Sequence, residues 1–225
     1  SRREFLRRAG LAGATAAGVL AAGFALHNRV ARRPDEEVRL KDYRVPADSR
    51  PRVVAAKGDH VERMLRDCLD PMGGIARFVK SGDVVLLKPN IGFASPPGIG
   101  ATTNPEVVAA TARLCLLAGA AAVWVTDNPI NDPERCMTVS GIAAAARAAG
   151  ARIFLPRPDA FRTVVEPANK RLARWSFLYG PFQNVTVVIG IPVVKNHSLA
   201  GATLGMKNWY GLLGGPRNQL HQDIH

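Results

Sequence analysis

The stretch "DVVLLKPNIG", residues 83–92, decides the fold. Four consecutive apolar residues, 84–87, follow a turn at Ser81-Gly82 and run straight into Lys88-Pro89-Asn90. A short unbroken apolar run bounded by turn chemistry reads as a strand buried on both faces. Such strands belong to parallel sheets covered on each side.

The same grammar repeats outward from this strand. Upstream, "RVVAAKG" (52–58) is a short apolar run, and "HVERMLRDCLDPMGGIARFV" (60–79) carries a helical pattern interrupted by Gly73-Gly74. Downstream, "TTNPEVVAATARLCLLAGA" (102–120) is a well-marked helix. Asn104 stands at its cap, Pro105 in its first turn, Glu106 at its positive end and Gly119 at its stop. "AAVWVTD" (121–127) reads as the next strand and "PERCMTVSGIAAAARAAG" (133–150) as the next helix. "ARIFLP" (151–156) follows as a strand. After an irregular basic stretch, "VTVVIGIPVV" (185–194) is a further strand. The expected fold is α/β: a mainly parallel sheet with helices on both faces, its strand order open.

Charge and cysteine content bound the function. The chain has 225 residues and a net charge of +12, of which +6 sits in residues 1–33. A basic, Arg-rich body suits anionic ligands or an acidic partner surface. Nucleic acid is not expected as a partner, because no basic stripe is interleaved with aromatics, which make up 6% of the residues. The three cysteines, Cys68, Cys115 and Cys136, form no C-x-x-C pair, so neither a zinc ribbon nor an iron–sulfur cluster motif is present. Cys115 reads as a small core residue.

The first 33 residues read as an address. "SRREFL" (1–6) matches the twin-arginine export signal, and an uncharged Ala/Gly-rich segment (9–26) follows before a second basic cluster (29–33). This implies the twin-arginine export machinery as a partner and an exported, periplasmic location. Eighteen uncharged residues are also just long enough to span a bilayer, so a retained signal would make residues 9–26 a membrane tether facing the periplasm. The organisation expected is a signal or signal anchor (1–33), a Pro-broken linker (34–51) and an α/β domain (52–225).

Ligands of open parallel sheets bind outside the carboxyl ends of the strands. Three polar groups fall there: Lys88 and Asn90 after "VVLL", Asp127 after "VWVT", and Lys195, Asn196 and His197 after "IPVV". A second Lys-Asn pair, Lys207-Asn208, follows within a glycine-rich segment. Taken singly, each has a plainer role: a solvated lysine, a surface histidine, or an Asp127 that caps the helix starting near Pro133. Taken together, they describe a site for a small anion. Lys88, Lys195 and Lys207 neutralise the anion and Asn90 and Asn208 orient it, while His197 serves as acid/base or metal ligand and Asp127 orients His197 or binds metal. The catalytic candidates are His197 and Lys195. The ends of Lys195 and Lys207 are expected to converge in one pocket shared with Lys88 or Asp127.

The loop 90–104, rich in Gly and Pro and ending at a helix start, is expected to offer free amides to an anion. Neither a P-loop nor a G-x-G-x-x-G order is present. At the chain's end, "HQDIH" places His221 and His225 four apart, a spacing that can chelate a metal ion. Gln222 stands where a zinc-protease motif needs Glu.

At these residues the sequence resembles the domain of unknown function 362 family. The resemblance runs over roughly residues 53–225 and rests on "VVLLKPNIG", "ATTNPEVVAATARLCLLAGA", "VTDNP", "PVVKNHSLAGATLGMKNWYGLLGG" and "LHQDIH". It implies an α/β protein, often with a twin-arginine leader. The family's Lys-x-His motif falls on Lys195 and His197, its Lys-Asn motif on Lys207 and Asn208, and its following His on His221. Some members carry ferredoxin-type iron–sulfur segments, whose cysteine runs are missing here. Members typically continue with further strands, so the resemblance implies a fragment, incomplete at the C-terminus. It implies no settled activity. The cofactor stays open, a metal ion being one candidate. The two readings are an exported enzyme or cofactor-dependent protein acting on a small anion, and a non-catalytic ligand-binding or redox-partner assembly protein.

Overall fold

Alternation of apolar side chains along one short strand organises the molecule. The structure, a computed structural model, describes Glu4, residues 37–168 and residues 172–223. Apart from Glu4, the leader read over residues 1–33 lies outside the described residues.

In chain order the elements are β1 (Glu37–Val38), α1 (Val61–Leu69), β2 (Val84–Pro89), α2 (Pro105–Leu117), β3 (Ala122–Val125), α3 (Pro133–Val139), α4 (Ile142–Ala148), β4 (Arg152–Ile153), β5 (Phe161–Val165), β6 (Arg174–Leu178), β7 (Val187–Ile191), β8 (Lys195–His197), β9 (Gly201–Thr203) and α5 (Gly205–Asn208). The main sheet is parallel throughout and ordered β4-β3-β2-β7. The α/β reading therefore holds, and the strand order the sequence left open is now fixed.

Strand β2 is central. Val85 and Leu87 turn to one face and pack with Val123 and Val125 beneath α2, α3 and α4. Leu86 turns to the other, against Leu178, Phe182, Val185 and Leu212. Each such side chain, fully buried, contributes about 1.5–3 kcal/mol of transfer free energy. The second face is covered by short 3-10 turns, Gly180–Phe182 and Trp209–Leu212, together with the antiparallel hairpin β5–β6. Strand β1 joins that hairpin in parallel, and Tyr43 meets Phe182 edge-on. Residues 37–43 of the stretch read as a linker are thus laid along the body.

Helix α2 starts and stops as its sequence dictates. The Asn104 side chain accepts from the Glu106 amide at 2.8 Å, Pro105 opens the helix, and Gly119 follows it at a positive φ. Two expectations need correction. Residues 133–150 form two helices rather than one, because Gly141 adopts φ 72° and begins a second helix there. The run 52–58 forms no strand, and Val53 lies exposed. Among the described residues strand β7 pairs on one side only, with β2, and stands at an edge of the main sheet. An apolar groove of about 510 Å³ runs beside it, walled by Tyr43, Leu65, Leu69, Ile75, Phe78 and the strand itself.

All three cysteines are free thiols. Burial pushes the Cys115 thiol up to about 12, so it is inert at neutral pH.

Candidate functional site

The carboxyl ends of β2 and β3 bring Lys88 and Asp127 together. Lys88 shares the strand face of Leu86, so its side chain rises beside the returning segment 205–212 and is fully buried. Its ammonium meets Asp127 Oδ1 at 2.8 Å and donates to the Pro89 carbonyl at 2.7 Å and to Asn208 Oδ1 at 3.2 Å. Three acceptors match three N–H bonds, the geometry that an ammonium ion needs. Burial presses the Lys88 pKa down, the Asp127 carboxylate pulls it up, and Arg217 adds a smaller downward push; the net direction is down. Asp127 is held as firmly, its oxygens accepting from the amides of Ile91 at 2.6 Å and Asn128 at 2.8 Å. The plainer role for Asp127, capping the next helix, falls to Asp132 instead, which accepts from the Arg135 amide.

Gly211 lies directly against this pair. A Cβ there would collide with Asp127 Oδ1 and stand 2.8 Å from Lys88 Nζ. Close backbone approach therefore accounts for glycine at this point of "NWYGLLGG".

Above the pair lies a cavity of about 100 Å³ whose wall includes Lys88, Asn90, Asp127, Lys195, His197, Lys207 and Asn208. All seven site residues expected from the motifs within residues 88–208 thus share one cavity, and Lys195 and Lys207 converge on it together with both Lys88 and Asp127. Lys195 is held by neutral oxygens, donating to Asn90 Oδ1 at 3.0 Å and to the Ala101 carbonyl, and its ammonium lies 5.4 Å from the centre of the Phe93 ring. Lys207 lies 5.0 Å from the centre of the Tyr210 ring. Burial lowers the pKa of both lysines. For Lys195 the Asp127 charge opposes that shift and Lys207 adds to it.

Several details depart from the sequence reading. Residues 193–194 do not end a strand: β7 stops at Ile191, and Lys195–His197 begins the small antiparallel hairpin β8–β9. His197 Nδ1 accepts from the amides of Leu199 at 3.2 Å and Ala200 at 3.1 Å, so the neutral ring carries its proton on Nε2 and can donate from there. Both oxygens of Asp127 already serve Lys88, Ile91 and Asn128. Asn208 brackets Lys88, accepting from its ammonium and donating to its carbonyl at 2.7 Å. The loop 90–104 presents the Ala101 carbonyl to Lys195, and its helix start is already capped; the expected free amides are not found at that cap. The His221 side chain and all of His225 lie outside the described residues. Among the described residues no group of three or more His, Cys, Asp or Glu side chains is placed to hold a metal ion.

The cavity also takes residues that the motifs did not single out, among them Phe93, Ile130, Thr203, Tyr210 and Arg217, and it takes Gly211 of the glycine-rich segment. Arg217 donates to the carbonyls of Asn128 at 2.7 Å and Pro129 at 3.0 Å, tying the returning segment to the loop after β3.

Residues 85–225 match the model of a family described as Domain of unknown function (DUF362). The chain is 35% identical over 153 residues to the thylakoid-associated protein sll1697 of Synechocystis sp. (strain ATCC 27184 / PCC 6803 / Kazusa), an overlap covering 67% of this chain and 46% of that protein. The chain therefore spans about half the length of the curated relative it matches. No solved structure matches it significantly.

Proposed function

The chain belongs to the DUF362 family, and from that premise we propose that it is an exported α/β protein that binds a small anionic ligand between Lys195 and Lys207. The observation that carries this reading is the meeting of those two lysines on one small cavity, with Lys195 held by neutral oxygens. Two ammonium groups gathered beside a buried lysine favour a bound anion as counter-charge. The Lys88–Asp127 pair holds the floor. His197, on the same wall, favours a catalytic form of this reading, in which its Nε2–H donates to the bound molecule. A non-catalytic binding or redox-partner assembly role uses the same lysines and leaves His197 structural.

Titrating inorganic phosphate, sulfate and acetate into the chain by calorimetry tests this. The anion needs both ammonium groups protonated. Binding is therefore full at neutral pH and declines as pH rises through the lowered lysine pKa values, below the range where an ordinary lysine deprotonates. Absence of saturable binding, or an affinity indifferent to alkaline pH, would sink the reading.

Export rests on "SRREFL" and the uncharged segment after it. The relative's name places that protein at a thylakoid, a membrane system, which supports a location at or across a membrane. Among the described residues no helix is long and apolar enough to cross one. Replacing Arg2 and Arg3 by lysine should hold the precursor in the cytoplasm; export unchanged by that pair of substitutions would leave residues 9–26 as a plain anchor. The edge position of β7 among the described residues and the apolar groove beside it support the further reading that additional strands join this sheet.

A further inference from the structure

Among the described residues two buried side-chain hydroxyls have no hydrogen-bond partner, those of Thr102 and Thr203. Thr203 is the one on the wall of the lysine cavity, and it is 2% exposed. A hydroxyl taken out of water without a partner costs roughly 1–3 kcal/mol. Native proteins rarely leave such a group unused unless a ligand or an ordered water completes it.

The hairpin register says what Thr203 accompanies. Thr203 in β9 stands directly opposite Lys195 in β8. Directly opposed residues of an antiparallel pair project from the same face, a few ångströms apart. Two neighbouring residues of the hairpin therefore line one cavity, one bringing a half-buried ammonium held by neutral oxygens and the Phe93 ring, the other an orphan hydroxyl. One donates with charge and the other without.

We propose that Thr203 is a ligand-contacting residue whose hydroxyl donates a hydrogen bond to an oxyanion held by Lys195, so that the site selects oxygen-bearing anions over halides. The inference rests on the anion reading above and deepens it by naming the ligand chemistry. A phosphate or carboxylate group offers a second oxygen, which the hydroxyl takes while the first lies on the ammonium. A bromide ion can accept from both donors, but its larger, more diffuse charge makes each hydrogen bond longer and weaker than one to a carboxylate or phosphate oxygen, so the hydroxyl adds less to its binding. The cavity of about 100 Å³ fits a single such group, either a free ion or the head of a larger molecule.

The test compares the chain with its Thr203→Val and Thr203→Ser variants. Inorganic phosphate, acetate and bromide are titrated against each, with binding followed by amide chemical shifts. Loss of one hydrogen bond predicts about 10-fold weaker oxyanion binding in Thr203→Val. Bromide binding weakens less, so the oxyanion-to-halide ratio falls, and Thr203→Ser keeps the ratio of the parent. A merely structural role would weaken all three ions together. The relative response of phosphate and acetate separates a tetrahedral from a planar ligand group. An unchanged ratio in Thr203→Val overturns the inference, as does loss of oxyanion preference in Thr203→Ser. If Thr203→Val does not fold, the Ser variant and a Thr203→Ala variant carry the same comparison. Oxyanion binding that needs the lysines but ignores Thr203 overturns this proposal alone. Absence of any anion binding in the parent chain overturns both.

Discussion

Lys88→Met lowers the stability of the chain by about 3–5 kcal/mol, measured as the shift in urea unfolding. The substitution keeps the length of the stem and removes the ammonium. It leaves the Asp127 carboxylate, 2% exposed, with two backbone amides and no directly bonded cation. It also orphans Asn208 Oδ1 and the Pro89 carbonyl. Domains of this size are stable by only about 5–15 kcal/mol, so the loss is a large share of the total. Adding Asp127→Asn to Lys88→Met should recover part of it, because a neutral amide no longer needs the missing cation. That reversal distinguishes a buried pair from two independent polar groups. A Lys88→Met variant within 1 kcal/mol of the parent, or a double variant weaker than the single, would show that the pair does not hold the floor of the site.

What the sequence disclosed follows from how local each signal is. The central strand β2, the cap and stop of α2, and the strands β3 and β7 are written in short windows, an apolar run or an Asn-Pro-Glu start, and the structure places them accordingly. The hairpin β5–β6 was not legible. Its strands "FRTVV" and "RWSFL" carry arginines that local patterning assigns to an irregular basic stretch. They become strands because they pair with each other and cover the second face of the sheet. The hairpin β8–β9 begins on Lys-Asn-His, residues with little strand propensity, and forms through its own turn.

The site divides the same way. Lys88 and Asp127 could be placed together because parallel strands deliver their carboxyl ends to one edge of a sheet. Lys195 and Lys207 followed from the turn chemistry between them. Thr203 was not legible, since its place beside Lys195 depends on a register that only the folded hairpin supplies. Arg217 and Gly211 reach the site by chain return, and their roles rest on carbonyls and oxygens from elements some 80 to 90 residues away. The readings of Asp127 as a metal ligand or as the group that orients His197 came from its place after the strand "VWVT". Its three hydrogen-bonded partners assign it to the buried pair.

The second large effect falls on binding rather than folding. Lys195 and Lys207 are both half-buried; Lys195 donates to neutral oxygens beside the Phe93 ring, and the Lys207 ammonium lies over the Tyr210 ring. Truncating both leaves Asn90 Oδ1 and the Ala101 carbonyl near solvent, so the cost in stability stays within about 1 kcal/mol. Each charge-assisted hydrogen bond to an anion contributes roughly 1.5–3 kcal/mol. Losing two predicts a fall in affinity of about 100-fold or more. The direct measurement is calorimetric titration of inorganic phosphate into the parent chain and into the Lys195→Ala, Lys207→Ala double variant, with the urea midpoint of each recorded. The expected result is one saturable site in the parent, none detectable in the double variant, and midpoints that agree. Equal phosphate affinity in the two proteins, with both folded, would contradict the assignment of this cavity as an anion site.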